Sequence, residues 1–180
     1  MFVNPDQRLS AQAEKAEYDL HKNSVDDPGY RKFLSRIQKP LQQRVKSSAR
    51  GLDFGCGPGP ALSVMLTEQG YAMSVYDIFY DDDKTVLACN YDFVTATEVV
   101  EHLFNPGKVL QQLWLLLESG GLLALMTKQV IDKKAFANWH YKNDPTHVCF
   151  FSRPTFEWVA EQWGASLEFV GQDVIFIRKT

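Results

Sequence analysis

Two carboxylates and an imidazole lie within one five-residue segment of the chain. Glu98, Glu101 and His102 are spaced i, i+3 and i+4, which places all three side chains on one face of a helix. We expect this helix to begin directly after a strand, so that the three groups converge at the end of a sheet. Carboxylates and imidazole are ligands for divalent cations, and His147, or alternatively His140, is available as a fourth ligand.

The same residues also allow chemistry without a metal ion. Acids at the start of a helix are stabilised by the helix dipole and need no ligand to explain them. His102 would then be a packed residue or a general base, a role that histidine often performs near neutral pH. The spacing leaves a metal site, an acid–base site and a purely structural arrangement open.

A glycine-rich turn, GCGPG starting at Gly55, follows a strand-like segment and precedes a helical one. Glycine lets the backbone pass close to a ligand at the carboxyl end of a sheet. A dinucleotide fingerprint would need glycine at the sixth position of this turn, where Pro60 stands. A phosphate-binding loop would need a Gly-Lys-Ser/Thr ending, which is absent. The spacing therefore disfavours both sites.

An acid, Asp77, stands at the end of the second predicted strand, 22 residues beyond Gly55. A carboxylate at this place can accept two hydrogen bonds from a ribose diol. Asp81, Asp82 and Asp83 follow closely and are explained as solvated surface acids. Position therefore favours Asp77 as the ribose ligand.

Strand-like and helical segments alternate from residue 50 onward, which indicates a parallel sheet covered by helices on both faces. The last two strands are joined by only three residues and must form an antiparallel hairpin. The prediction is an α/β fold with a Rossmann-like, mostly parallel sheet and a C-terminal antiparallel hairpin. Its strands are predicted over 51–54, 72–76, 93–96, 122–126, 166–170 and 174–178, and its helices over 61–69, 108–117 and 153–163.

Residues 78–91 are too few for a helix and a further strand, so we expect a shortened sheet edge with at most a short strand over 85–89. The first part of the chain predicts two polar helices, over 10–21 and 30–46. We interpret 1–180 as a single domain, in which 1–48 form a helical lid over a core of 49–180. Tyr18, His21 and Tyr30 would belong to this lid.

Aromatic residues are dense after residue 135. They can complete the hydrophobic core, or they can form the wall of a substrate pocket with a few polar groups, and both can hold at once. Because this segment follows the strand at 122–126, it should return over the carboxyl end of that strand. We therefore place Trp139, His140, Tyr141 and His147 near an acceptor molecule.

The amino-acid composition limits the classes of protein to which this chain can belong. The 180 residues are 45% hydrophobic and 23% charged with a net charge of -3, which is ordinary for a globular domain and gives no sign of a nucleic-acid footprint. Cys56, Cys89 and Cys149 form no CxxC pair and suit free thiols in a reducing compartment. With no signal-peptide pattern and no apolar stretch of roughly 20 residues, we expect a cytoplasmic protein without membrane insertion.

Four segments together resemble the class I S-adenosylmethionine-dependent methyltransferases over about residues 50–180: GLDFGCGPG, the acid Asp77, YDFVTATEVVEHL and LLLESGGLLALMT. The DPTHV segment at 144–148 is similar to bacterial small-molecule methyltransferases related to the quinone O-methyltransferases. The ExxEH pattern with a later histidine also resembles metal-using O-methyltransferases. Many relatives carry an acid that contacts adenine after their third strand, and none can be assigned here.

The resemblance implies roles for individual residues. The glycine turn would line the methionine and adenosine, Asp77 would hold the ribose, Ile78 would lie against adenine, and Thr97 would lie near the methionine. The full set of predicted cofactor-binding residues is Asp53, Gly55, Cys56, Gly57, Asp77, Ile78, Thr97 and Glu98. His147 or His102 would take the acceptor proton, with Glu101 beside them.

The function implied is methyl transfer from S-adenosylmethionine to a small-molecule acceptor, as an O-methylation. Two alternatives remain: a protein that binds S-adenosylmethionine or an adenosine derivative without turnover, and an NAD-dependent oxidoreductase. The glycine spacing disfavours the last. A divalent cation is a possible second cofactor, bound by Glu98, Glu101, His102 and His147.

Overall fold

The computed structural model describes residues 1–20 and 24–180, and its centre is a six-stranded sheet. The strand order is β2-β1-β3-β4-β6-β5; β2, β1, β3 and β4 are parallel, and β6 is antiparallel to both β4 and β5. The predicted α/β fold with a C-terminal hairpin is confirmed. The strands are β1 Arg50–Phe54, β2 Ala72–Tyr76, β3 Tyr91–Thr97, β4 Leu117–Met126, β5 Ser166–Val170 and β6 Val174–Arg178.

Helices cover both faces of this sheet. The described helices are α1 Ala11–Tyr18, α2 Pro28–Gln42, α3 Ala61–Thr67, α4 Pro106–Leu115, α5 Lys133–Ala137 and α6 Arg153–Trp163, of which α2, α3, α4 and α6 bury side chains against the sheet. Side chains of β4 alternate between two cores, as the period of two in a strand requires. Leu123 and Leu125 face the core that α4 and α6 cover, whereas Leu122 and Ala124 face the core under α2 and α3.

The shortened edge lies between β2 and β3, where the chain forms a 3-10 turn, Lys84–Ala88. The short strand expected over 85–89 is therefore wrong. With fourteen residues, 77–90, between β2 and β3, the chain crosses back after one tight turn, and β2 stays at the edge of the sheet.

Some helix boundaries also differ from the predicted ones. Helix α2 begins at Pro28, earlier than predicted, because the side chain of Asp27 caps it by accepting hydrogen bonds from the N–H groups of Gly29 and Tyr30. Helix α4 runs from Pro106 to Leu115 instead of over 108–117, and β4 begins at Leu117 instead of at 122. Within the described ranges, no helix combines the length and apolar character needed to cross a membrane.

Candidate active site

A cavity of about 770 Å³ opens at the carboxyl ends of the parallel strands. This volume lies within the range of about 300–1,000 Å³ that is typical of small-molecule sites. The loops after β1, β2, β3 and β4 form its base, and α1, α2 and the segment before α6 contribute side chains to its walls. The carboxyl ends of parallel strands are where open α/β sheets bind ligands.

The glycine turn after β1 forms part of the cavity wall. Gly55 and Gly57 have φ values of 74° and 65°, in the left-handed region that favours glycine. A Cβ on Gly55 would lie 2.4 Å from Cγ2 of Val99, whereas a Cβ on Gly57 would meet nothing within 4 Å. Packing against Val99 therefore requires glycine at position 55. At position 57 a Cβ would meet no neighbouring atom, so the glycine there leaves this part of the cavity wall open.

Asp77 ties two loops of the cavity together. One carboxylate oxygen accepts a hydrogen bond from the N–H of Gly57 at 2.9 Å, and the other accepts from the N–H groups of Phe79 and Tyr80 at 2.8 and 3.2 Å. The side chain lines the cavity but is only 8% exposed. Next to it, Ile78 also lines the cavity and is 66% exposed.

Thr97, Glu98 and Cys56 line the cavity, whereas Asp53 does not. Thr97 Oγ1 and Glu98 Oε1 are buried, and neither has a hydrogen-bond partner within residues 1–20 and 24–180. Asp53 lies behind the wall, 3% exposed, and accepts a hydrogen bond from the Thr95 hydroxyl at 2.7 Å. Burial raises the pKa of Asp53 to about 6.

The helix predicted to begin at 98 is absent. Glu98 has a φ of 52°, in the left-handed region, and a single 3-10 turn, Val100–His102, follows before α4 begins at Pro106. The N–H of Glu98 donates to the carbonyl of Met126 at 2.8 Å, which keeps this segment in contact with the end of β4. The i, i+3, i+4 face therefore does not bring the acids and His102 together.

Tyr141 joins the two carboxylates instead. Its hydroxyl donates to Glu101 and lies 3.3 Å from the second oxygen of Glu98. Glu101 is fully buried, so burial raises its pKa and the charge of Glu98 raises it further; burial also raises the pKa of Glu98. Because the tyrosine hydroxyl carries one proton, it can donate to only one carboxylate at a time.

Two histidine rings lie next to this cluster, with ring centres 4.7 Å apart. His147 Nδ1 is 2.6 Å from the carbonyl oxygen of Tyr141, and His102 Nδ1 is 3.1 Å from that of Thr146. Since a carbonyl only accepts, each Nδ1 carries the proton, and Nε2 of a neutral ring is the acceptor. Burial lowers the pKa of His147, which favours the neutral ring.

The structure brings three of the four predicted metal-binding residues together. Candidate ligand atoms of Glu101, His102 and His147 lie within 4.8 Å of one another, and Glu98 is outside this group. Glu98, His102 and His147 line the cavity, whereas Glu101 is fully buried and does not.

Of the residues predicted near an acceptor, His140 and Tyr141 line the cavity and Trp139 does not. The Trp139 ring packs against the rings of Tyr141 and Phe150, with ring centres 4.9 and 6.1 Å apart. Tyr18 and Tyr30 of the predicted lid line the cavity, and His21 lies outside the described residues.

Sequence reasoning missed several cavity residues, among them Glu14, Phe79, Tyr80 and Lys128. Lys128 carried a usable signal, because it follows the carboxyl end of β4 by two residues. No pattern in the sequence pointed to Glu14, since its helix α1 is polar and buries none of its residues.

A family model described as a methyltransferase domain matches residues 27–168. The chain belongs to this methyltransferase family. The matched residues include the glycine turn, Asp77 and the segment that carries His147. Most of the residues that line the cavity therefore lie in the part of the chain that the family model matches.

Solved structures of methyltransferases share the fold of this methyltransferase. The 1,6-didemethyltoxoflavin-N1-methyltransferase of Burkholderia thailandensis is 16% identical with a TM-score of 0.64, covering 99% of this chain and 94% of that one. The magnesium protoporphyrin IX methyltransferase of Synechocystis PCC 6803 is 12% identical with a TM-score of 0.62, covering 94% of each chain. A methyltransferase of Archaeoglobus fulgidus is 18% identical with a TM-score of 0.63, covering 83% and 94%.

Comparison with curated proteins gave no significant match. The family nevertheless confirms the expectation of a methyltransferase, and the fold is that of solved S-adenosylmethionine-dependent methyltransferases. The neighbours from Burkholderia and Synechocystis were solved with bound S-adenosylhomocysteine, the demethylated cofactor.

Proposed function

We propose that this methyltransferase methylates a hydroxyl group of a small-molecule acceptor. The observation that carries the proposal is that one cavity holds both the glycine turn with Asp77 and the imidazole of His147. A cofactor bound at the glycine turn and Asp77 would face the imidazole of His147, which can accept a proton. The named acceptors of two structural neighbours, 1,6-didemethyltoxoflavin and magnesium protoporphyrin IX, are small molecules, which supports this class of acceptor.

The cavity residues fit S-adenosylmethionine. An ionised carboxylate has about four acceptor sites, and backbone N–H groups use three of those on Asp77, so one remains for a ribose hydroxyl. The unpartnered oxygens of Thr97 and Glu98 suit the ammonium group of the methionine part, within the residues that the structure describes. Ile78 offers an apolar surface to adenine. Asp53 supports the turn from behind.

When bound, S-adenosylmethionine supplies the electrophilic methyl group. The residues of the chain hold the acceptor oxygen in line with it and exclude water. His147 Nε2 would take the hydroxyl proton as the methyl group passes from the sulfonium sulfur to the acceptor oxygen, with S-adenosylhomocysteine as the leaving group. Asp144, whose Oδ2 is 3.8 Å from that nitrogen, stabilises the imidazolium that results. Tyr141 fixes the ring through its carbonyl oxygen, and His140 and Tyr141 contribute to the acceptor wall.

A divalent cation is a second candidate for the same place. The grouping of Glu101, His102 and His147 favours it, and Nδ1 bonded to a backbone carbonyl is common in metal-binding histidines. However, Tyr141 already occupies one oxygen of Glu101, and burial keeps that carboxyl protonated more readily than usual. We therefore propose metal-free proton transfer first. The relation to the quinone O-methyltransferases stays a prediction that rests on the DPTHV segment.

S-adenosylhomocysteine is expected to raise the melting temperature of the methyltransferase, and NAD is expected to leave it unchanged. A ligand at 100 times its Kd stabilises the folded state by about 2.7 kcal/mol. Differential scanning fluorimetry at increasing ligand concentrations measures the effect. A folded sample that ignores the cofactor would overturn the proposed function, and a response to NAD would favour the oxidoreductase. Binding without methyl transfer to any of a panel of phenols and quinols would favour the protein without turnover.

Asp77→Ala is expected to weaken S-adenosylhomocysteine binding by about 1–3 kcal/mol, the range for hydrogen bonds to a charged group. Asp82→Ala is the matched control, because Asp82 accepts from the Tyr76 hydroxyl and pairs with Lys84 without lining the cavity. Isothermal titration calorimetry compares the two variants. Equal losses would mean that the ribose lies elsewhere.

A further inference from the structure

Lys128 is the only lysine or arginine that lines the cavity in the part of the chain that the structure describes. It follows the carboxyl end of β4 by two residues, and hydrogen bonds on both sides fix the backbone there. The N–H of Thr127 donates to the carbonyl of Asp173 at 2.9 Å, and the N–H of Val130 donates to that of Phe151 at 2.7 Å. A well-anchored loop therefore presents one ammonium group to the cavity.

No carboxylate pairs with this ammonium group. Within residues 1–20 and 24–180, no aspartate or glutamate oxygen lies within 4.0 Å of Lys128 Nζ. Its contacts are the Tyr141 ring, whose centre is 5.0 Å away, and His140 Nε2 at 3.4 Å. Burial raises the pKa of Glu98 and the charge of Lys128 opposes this rise, but the two groups form no ion pair. The positive charge of Lys128 is therefore available to an anionic ligand.

The acids that line the cavity leave this charge to the acceptor. They are Glu14, Asp77, Glu98 and Asp144. Asp77 and Glu98 belong to the proposed cofactor half, where S-adenosylmethionine brings a positive sulfonium and a positive ammonium group. Glu14 accepts a hydrogen bond from Tyr18, and Asp144 accepts from Thr146. None of the four is placed to neutralise Lys128 when the cofactor is bound.

Lys128 and the proposed base lie against the same aromatic ring. The centre of the Tyr141 ring is 5.0 Å from Lys128 Nζ and 4.1 Å from the centre of the His147 ring. One small molecule can therefore reach both groups, with its hydroxyl at His147 and an anionic substituent at Lys128. The rings of Tyr30 and Phe33 also line the cavity and give the body of an aromatic acceptor an apolar surface.

The methionine part of the cofactor carries the competing anion, a carboxylate. Tyr30 offers this carboxylate a donor of its own, because the Tyr30 hydroxyl has no acceptor within the described ranges of the chain. Burial raises the pKa of Tyr30, and the charges of Asp53 and Glu98 raise it further, which locates its hydroxyl on the cofactor side. Lys128, in contrast, contacts the acceptor wall. These contacts favour the acceptor as its partner.

We propose that Lys128 is a specificity-determining residue that binds a carboxylate group of the acceptor, so that the acceptor is an aromatic hydroxy acid. The ammonium group makes a charge-assisted hydrogen bond to this carboxylate and directs the hydroxyl of the same molecule towards His147. A neutral phenol enters the same cavity without this anchor. The inference rests on the proposed function, because it takes His147 as the base and Asp77 as part of the cofactor site.

Matched pairs of small molecules test the proposal. The probes are 3-hydroxybenzoate, 4-hydroxybenzoate and 3,4-dihydroxybenzoate, each compared with the corresponding benzamide, which keeps the ring and hydroxyl groups but has no charge. Isothermal titration calorimetry on protein saturated with S-adenosylhomocysteine measures each Kd. At least one acid is expected to bind about 10- to 100-fold more tightly than its amide, as a hydrogen bond between charged groups provides.

Three variants separate the role of this charge from a general effect on the fold. Lys128→Met keeps a long apolar side chain and is expected to lose the preference for the acid while binding S-adenosylhomocysteine as the wild type does. Lys128→Arg keeps the charge and should retain most of the preference. Lys133→Met is the matched control, because Lys133 lies in α5, is exposed and does not line the cavity.

Acids that bind no more tightly than their amides would overturn the inference, and methylation of neutral phenols by the same sample would leave the proposed function in place. A preference that persists in Lys128→Met would overturn it as well. Weaker binding of S-adenosylhomocysteine by Lys128→Met would assign Lys128 to the methionine carboxylate instead of the acceptor. A wild-type protein that does not bind S-adenosylhomocysteine would refute the proposed function, and this inference with it.

Discussion

Gly55→Ala is expected to destabilise the methyltransferase by about 2–5 kcal/mol, the sum of left-handed backbone strain and overpacking. The backbone at Gly55 has a φ of 74°, and its added methyl group would lie 2.4 Å from Val99 Cγ2, closer than two carbons can approach. Val99 belongs to the segment that leads to Glu101 and His102. Displacing it would disturb the acceptor half of the cavity as well as the turn. Urea denaturation measures the loss.

Gly57→Ala is the matched control, because Gly57 has nearly the same φ but open space around its Cβ position. Its loss of stability is expected to stay at about 1–2 kcal/mol, from backbone strain alone. Its methyl group would enter the cavity wall, so S-adenosylhomocysteine should bind more weakly to a folded protein. Equal destabilisation by the two substitutions would show that contact with Val99 does not set the requirement for glycine.

Local signals in the sequence were sufficient to predict the bounds of an element where a glycine or a short connection marks its end. The bounds of β2, β5, β6 and α6 agree with the prediction, because Gly164 ends the helix with a φ of 58° and only three residues connect the last two strands. Alternation of apolar residues is enough to identify such segments. The 3-10 turn Lys84–Ala88 was missed because nothing in that stretch distinguishes a tight turn from a short strand.

Most of the predicted site residues line the cavity, but the geometry that joins them differs from the predicted one. Glu98 was placed on a helix because the spacing of its neighbours suits one, yet it adopts a left-handed conformation whose N–H bonds to Met126, a residue 28 positions away. Tyr141 then joins Glu98 and Glu101 from another part of the chain. Contacts across such distances in sequence leave no local pattern, and single-sequence reasoning cannot find them.

Asp53 and Trp139 show a second limit of reasoning from the sequence, because both were predicted at the site and neither lines the cavity. Asp53 was placed at the site by the resemblance that covers the glycine turn, and Trp139 because its segment follows the strand predicted over 122–126. Both instead lie behind residues that line the cavity: Asp53 under the glycine turn, bonded to Thr95, and Trp139 against the ring of Tyr141. Position in the sequence identifies the loop that reaches a site, but the direction of each side chain depends on the packing around it.

His147→Asn is expected to lower kcat by about 10²–10⁴-fold, the usual contribution of a general base. Asparagine keeps an N–H group near the position of Nδ1, which can still donate to the carbonyl of Tyr141, but it lacks the Nε2 acceptor. Formation of S-adenosylhomocysteine with any acceptor that the wild-type enzyme methylates provides the measurement. A variant with wild-type kcat would remove His147 from the chemistry.

The pH dependence of kcat/KM should also show that His147 acts as the general base. Burial lowers the pKa of His147 below its ordinary value of 6.5, and only the neutral ring can accept a proton. Activity is therefore fully present above that pKa and is lost as the pH falls through it, so the acidic limb of kcat/KM should lie below pH 6.5. In His147→Asn this limb should vanish. A limb that persists would belong to another group.

A chelator distinguishes a metal-free site, in which His147 is the base, from a site that holds a divalent cation. A metal-free base at His147 makes the wild-type rate insensitive to EDTA, whereas a cation held by Glu101, His102 and His147 would be removed and the rate restored by adding it back. Glu101→Gln sharpens the distinction, because its amide oxygen can still accept the hydrogen bond from Tyr141 but the carboxylate ligand is gone. With no metal involved, this substitution should cost far less activity than His147→Asn, since Glu101 is fully buried and does not line the cavity.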